Sequence, residues 1–171
     1  MSDTNSSDSY KQEAFKYQLE ILKMEIDIID KAITRIDEIT QSTKNWAVVI
    51  WSGSIGLLLS QPDLRQYVVY TAVIPALFWL VDAWWRHYLE AFVYRQDRIS
   101  DFLNDSDFIE SHKRQRFVNF TILDPRGSHY KETKEYKKIA NFWKSLFLRE
   151  TILFYFALVT LSMIISWAIS L

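Results

Sequence analysis

The chain has 171 residues, 20 Lys and Arg against 21 Asp and Glu, a net charge of −1, and no cysteine. The missing cysteines exclude disulfides, thiolate metal sites and a Cys nucleophile, and the near-neutral charge without a recognition motif argues against a nucleic-acid partner. Three Gly and three Pro beside 16% aromatic residues argue against an all-β fold and predict long helices.

A mean hydropathy of −0.08 hides an uneven distribution. The charges concentrate in two segments, and three windows are nearly free of them. Residues 1–9 are polar and acidic, lack the basic and apolar regions of a secretory signal, and are expected to be disordered.

Residues 10–45 read as a cytoplasmic heptad stalk. Phe15, Leu19, Leu22, Ile26, Ile29, Ile33 and Ile36 recur at spacings of 4, 3, 4, 3, 4, 3, with Leu19, Ile26 and Ile33 as a positions and the others as d. Isoleucine at both positions favours trimers or larger assemblies, so Leu19, Leu22, Ile26, Ile29, Ile33 and Ile36 are the expected oligomerisation residues. Tyr17, Ile21, Met24 and Ile28 form a second apolar strip, expected to widen the buried face. Ser9 with Gln12 resembles a capping box. No Pro or Gly interrupts the pattern before Gly53, which predicts one helix from about residue 9 to 60, about 75 Å long.

Residues 46–85 read as a transmembrane hairpin. Its first span, 46–60, has only fifteen residues against the ~20 needed to cross hydrocarbon upright. It crosses with snorkelling flanks or local thinning, or it is re-entrant. QPDLRQ (61–66) is the turn, and 67–85 is the second span, kinked at Pro75. Trp46, Trp84, Trp85 and Tyr155 are placed at one interface, and Tyr67, Tyr70 and Trp167 at the other.

Residues 86–149 read as a helical cytoplasmic region. Trp85, Leu89, Phe92, Gln96, Ile99 and Leu103 continue a 4, 3, 4, 3, 4 seam that suits packing against the stalk. NDSD (104–107) breaks it, 108–116 reads as a short helix, FVNFTIL (117–123) is the one plausible strand, and DPRG (124–127) is a turn. Residues 128–149 read as an amphipathic helix with Tyr136, Ile139, Ala140, Trp143, Leu146 and Phe147 on its apolar side. Residues 150–171 form the last span, uncharged from Thr151 onward.

Lys and Arg number six in 1–45, one (Arg65) in the hairpin turn and thirteen in 86–149. The positive-inside rule puts the N-terminus and 86–149 in the cytoplasm and the C-terminus outside. The expected fold is therefore all-α, an integral membrane protein with three transmembrane helices.

Small residues recur every fourth position at Ser52, Gly56 and Ser60 and at Ser162, Ser166 and Ser170, with a weaker pair at Ala72 and Ala76. Such faces let helices approach closely in lipid, either within one chain or between copies, and serine also tolerates a polar pore. Asp82 is the one acid inside a span, a functional candidate that an i,i+4 pair with Arg86 also explains. HKRQR (112–116) offers Lys113, Arg114 and Arg116 to lipid or ligand phosphate, or is a solvated surface. His87, His112 and His129 lack ligand spacing, and no HExxH, GxSxG, Walker A or GxGxxG is present. No catalytic, cofactor-binding or metal residue is assigned, no cofactor is expected, and the chain is not read as an enzyme.

The order of elements is a heptad stalk, a two-span hairpin, VDAWWRHYLEAFVYRQDRISDFLN (81–104), LDPRG (123–127) and a last span opening with RETILFYF (149–156). In layout this resembles small bacterial multi-pass membrane proteins found beside TIR-like proteins and other anti-phage defence genes. The resemblance implies an inner-membrane effector, and it carries over no functional residue. The expected function is an oligomer of three or more copies that perturbs or permeabilises the membrane when triggered, with lipids and possible soluble cytoplasmic partners. The alternative is a non-conducting anchor or scaffold that recruits a soluble partner.

Overall fold

The computed structural model describes residues 3–170, with side chains from Ser9 onward. The described residues are all-helical, with no strand. Helix α1 (Asp3–Ser60) is followed by a 3-10 helix (Pro62–Ala72), α2 (Val73–Asn104), α3 (Ser106–Arg114), a 3-10 turn (Ser128–Tyr130), α4 (Lys134–Ile139), α5 (Phe142–Leu146) and α6 (Arg149–Ser170). Two helical stretches, Pro62–Asn104 and Lys134–Ser170, are long and apolar enough to cross a membrane by length and composition.

The long first helix is present, but it starts at Asp3, so the expected cap at Ser9 does not form. Of the leader expected to lack structure, Met1 and Ser2 lie outside the described residues, as does Leu171 at the other end. The second span does not begin as an α-helix at residue 67. Pro62 opens a 3-10 helix that holds Tyr67 and Tyr70, and regular α2 starts only at Val73. Pro75 has no N–H to donate one turn back, and β-branched Val68, Val69, Thr71, Val73 and Ile74 crowd an α-helical turn, which favours the tighter helix.

Two compact units form. The first comprises residues up to Thr34 and Glu90–Ile139; the second comprises Arg35–Leu89 and Ala140–Leu171.

In the first unit the stalk seam is consumed within the chain. Phe15, Leu22 and Ile29 are buried, and Leu22 and Ile29 cluster with Ile99, flanked by Ile26, Ile33, Phe92, Phe117, Phe120 and Ile122. The expected docking of α2 on the stalk is seen, with a shifted face. Gln96 and Leu103 are exposed, while Ala91, Tyr94, Arg95, Ile99 and Phe102 point inward. Residues 117–123 form no strand. Their rings pack instead, with Phe102 stacked on Phe120 at 4.1 Å between centroids. In the DPRG turn the Gly127 amide donates to the Asp124 carbonyl at 2.9 Å, and the Asp124 carboxylate accepts from the Ser128 and His129 amides at 2.7 and 2.8 Å.

The expected single helix over 128–149 is broken into pieces. The Tyr136 amide donates to Thr133 Oγ1 at 3.2 Å, and the Trp143 amide to Asn141 Oδ1 at 2.9 Å. Each side chain satisfies an N–H that a continuous helix would have paired with its own carbonyl, so each starts a new helix.

Candidate functional site

The second unit buries Thr71, Asp82, Thr151, Tyr155 and Ser162 beside Trp51, Ile55 and Val68, and its outer surface is rich in large apolar side chains. The buried residues of α6 are Thr151, Tyr155 and Ser162, every one with a hydroxyl. Its exposed large residues are Leu153, Phe156, Leu161, Met163, Ile164 and Trp167, joined by Leu77, Leu80 and Val81 of α2 and Val48, Val49, Ile50 and Leu57 of α1. A water-facing bundle shows the reverse arrangement.

Three helical segments meet at Ser162. The Trp51 indole N–H donates to Ser162 Oγ at 2.7 Å, Thr71 Oγ1 donates to the same oxygen at 3.3 Å, and Ser162 donates to the Leu158 carbonyl at 3.1 Å. Trp51, Ile55 and Val68 pack around this centre with Leu58, Leu59, Ile74, Leu158, Ile165 and Ile169. Toward the C-terminal end of α6, Ser166 and Ser170 line an open cavity of about 420 Å³ with Pro62, Arg65, Gln66 and Ile169.

Toward the N-terminal end of α6 lies Asp82, fully buried, with neither carboxylate oxygen hydrogen-bonded. Arg86 Nε stands 3.8 Å away, which is the i,i+4 pair expected from sequence. Lys44 is the other cation close enough to act on the carboxylate, and the Tyr155 hydroxyl faces it without reaching hydrogen-bond geometry. The hydroxyls of Tyr155 and Thr151 are buried and unpartnered. Tyr155 is thus an interior group rather than the interfacial aromatic expected of it, because its ring packs on Phe154 while its hydroxyl turns toward Asp82. Of the other aromatics expected at an interface, Trp46, Trp84, Tyr67, Tyr70 and Trp167 are exposed and Trp85 is half-buried.

The two serine stripes behave differently. Ser162 is buried at the three-segment contact and Ser166 and Ser170 line the cavity, whereas Ser52, Gly56 and Ser60 are exposed. Ser52 and Ser60 hydroxyls bond back to the Val49 and Leu57 carbonyls, and a Cβ at Gly56 would meet nothing within 4 Å. The basic run falls at the C-terminal end of α3, where cations offset the helix dipole. Lys113, Arg114 and Arg116 are exposed, and Arg114 is already engaged by Glu110 at 2.7 Å.

The first unit contains a centre that periodicity did not reveal. Glu25 and Arg95 are both buried; Arg95 Nε donates to Glu25 Oε1 at 2.8 Å and its Nη2 to the Thr121 carbonyl at 2.5 Å. Glu25 also accepts from the Leu123 and Asp124 amides at 2.8 and 3.1 Å. Beside the stalk, the strip of Tyr17, Met24 and Ile28 does not widen the buried face: Tyr17 is 65% and Met24 63% exposed, and Tyr10, at 72%, extends the row by one heptad. No cluster of potential metal ligands occurs among the described residues.

No protein-family model, curated protein or solved structure matches the chain.

Proposed function

We propose that the chain is a multi-pass protein of a bacterial inner membrane that assembles into a homo-oligomer of three or more copies and permeabilises that membrane when triggered. A defence effector is the role that suits this activity. The observation that carries the reading is the second unit's apolar exterior of leucine, valine and aromatic rings around an interior that holds Asp82, Thr151, Tyr155 and Ser162 beside Trp51, Ile55 and Val68. Burying a carboxylate in such a unit is costly and is characteristic of transport and gating groups in membranes. The 46–60 stretch would be the third span, with its exposed apolar face against lipid. The N-terminus and 86–149 would lie in the cytoplasm, and the C-terminus outside.

Assembly would use the row of Tyr10, Ala14, Tyr17, Ile21, Met24 and Ile28. It keeps a strict 4, 3, 4, 3, 4 spacing on the exposed side of α1, and a 3.5-residue period is what a second helix requires. Overproduction in bacteria with a potential-sensitive dye tests the permeabilising activity. Depolarisation in step with expression is the expected result, and an unchanged potential in cells carrying abundant protein rejects it.

The rival reading is a non-conducting anchor for a soluble partner. It is favoured by an open apolar groove of about 200 Å³ between Ile26, Ile29, Ile99 and Leu103. An anchor leaves the potential untouched at any expression level.

A further inference from the structure

The hydroxyl and carboxylate groups of the second unit are spread along the whole of α6. Thr151, Tyr155, Ser162, Ser166 and Ser170 cover nineteen residue steps, about 28 Å of helix and close to the thickness of bilayer hydrocarbon. At one end the buried Asp82 carboxylate has no hydrogen-bond partner and meets the unpartnered Tyr155 hydroxyl. At the other end the open cavity reaches Ser166 and Ser170 beside Arg65 and Gln66. Between Tyr155 and Ser162 lie two helical turns, about 10 Å. Leu158 packs there in the cluster of Trp51, Ile55 and Val68.

We propose that this interior is a proton path, with Asp82 as its proton-binding group and the cluster around Leu158 and Trp51 as its closed gate. The inference rests on the membrane reading above and names the species conducted. Hydroxyls both donate and accept, so Thr151, Tyr155 and Ser162 with intervening water can pass protons along. Orphaned buried polar atoms of this kind are where ordered water sits. Transfer is balanced: hydronium gives a proton to the Asp82 carboxylate, leaving water and a neutral carboxyl, which releases the proton to the next water. Arg86 and Lys44 flank the single carboxylate; a proton binds that carboxylate covalently, whereas a hydrated metal cation would meet both positive groups without such a bond.

The test uses full-length protein in liposomes, with an internal pH dye, valinomycin and potassium to set the driving force, and entrapped carboxyfluorescein to report larger leaks. Leu158→Ser, which opens the gate with a hydroxyl, is expected to raise proton flux at least tenfold over wild type without releasing carboxyfluorescein. Adding Asp82→Asn should return flux to the wild-type level, and adding Asp82→Glu should keep it. Leu158→Ala is the substitute if the serine variant does not reconstitute as a helical protein. Carboxyfluorescein release, or flux that survives Asp82→Asn, overturns the proton path but leaves the permeabilising function standing. Helical Leu158 variants without any flux also overturn it, and an unchanged potential in overproducing cells would then remove the broader function as well.

Discussion

Arg95 donates through Nε to Glu25 Oε1 at 2.8 Å, across seventy residues of sequence and with both side chains removed from solvent. Glu25 also holds the Leu123 and Asp124 amides, so one carboxylate on the stalk ties down both α2 and the loop entering the DPRG turn. Arg95 lies 4.7 Å from the Phe120 ring centroid, which adds a cation–π contact on the same loop. Breaking a buried pair on one side strands the other charge and costs about 3–5 kcal/mol. Glu25→Met strands the guanidinium and both amides, whereas Arg95→Met leaves Glu25 with its two amide donors. Denaturant unfolding of purified protein should therefore show Glu25→Met as the more damaging change. The reverse order would mean that the loop is not held through Glu25.

Gly127 sits at φ +60 in the first unit, and a Cβ there would lie 3.5 Å from both Tyr136 Cε2 and Tyr94 Cδ1. Those distances are ordinary contacts, so the penalty for Gly127→Ala is the left-handed backbone alone, about 1–2 kcal/mol. Gly127→Asn should be milder, since Asn tolerates that conformation. Equal unfolding midpoints for the Ala and Asn variants would show that packing against the tyrosines dominates instead.

The stalk was readable because Leu22 and Ile29 repeat at a helical period, and a local period needs no knowledge of the partner. Glu25 was not, because one acid on a charged helix looks solvated until the partner is known. Arg95 and the Leu123 amide, far along the chain, are what allow its burial. The same limit applies to Ser162: its four-residue spacing was visible, but Ser52 has the same spacing and faces outward. Spacing marks a stripe without saying what covers it, and only Trp51 and Thr71 separate the two cases. The breaks at Thr133 and Asn141 did carry a local signal, since both are good N-cap residues, but the apolar periodicity of 136–147 outweighed it.

Trp51→Phe and Ser162→Ala each remove the 2.7 Å indole bond while keeping most of the packing. Hydrogen bonds between helices in membranes contribute about 0.6 kcal/mol on average. Each single change should cost about 1 kcal/mol or less, with a coupling near that average in a double-mutant cycle of thermal unfolding. Strict additivity of the two changes would show that Ser162 and Trp51 do not act as a bonded pair.

The absence of cysteine from the sequence makes single-cysteine accessibility a clean readout of the proposed membrane arrangement. A cysteine at Arg65, in the exposed start of the 3-10 helix, should react with an impermeant maleimide added to intact cells. One at Glu135, in α4, should react only after the membrane is opened. Labelling of both from outside would remove the 67–85 span, since it is the one crossing that separates the two positions.

The stalk offers the sharpest separation of folding from assembly. Ile29 is 1% exposed and belongs to the first unit's core, so Ile29→Asp should unfold that unit by several kcal/mol rather than merely dissociate copies. Tyr17 and Met24 lie on the open row, where substitutions ordinarily change stability by no more than about 0.5 kcal/mol. Tyr17→Asp with Met24→Asp should therefore leave the unfolding midpoint in place while reducing the proposed oligomer to monomers, read as the mass of the protein in nanodiscs. An oligomer that survives this double change does not use the outer row. Gly56→Leu would then be the next variant to weigh, since nothing within 4 Å opposes a side chain there and any loss of mass must come from a neighbouring copy.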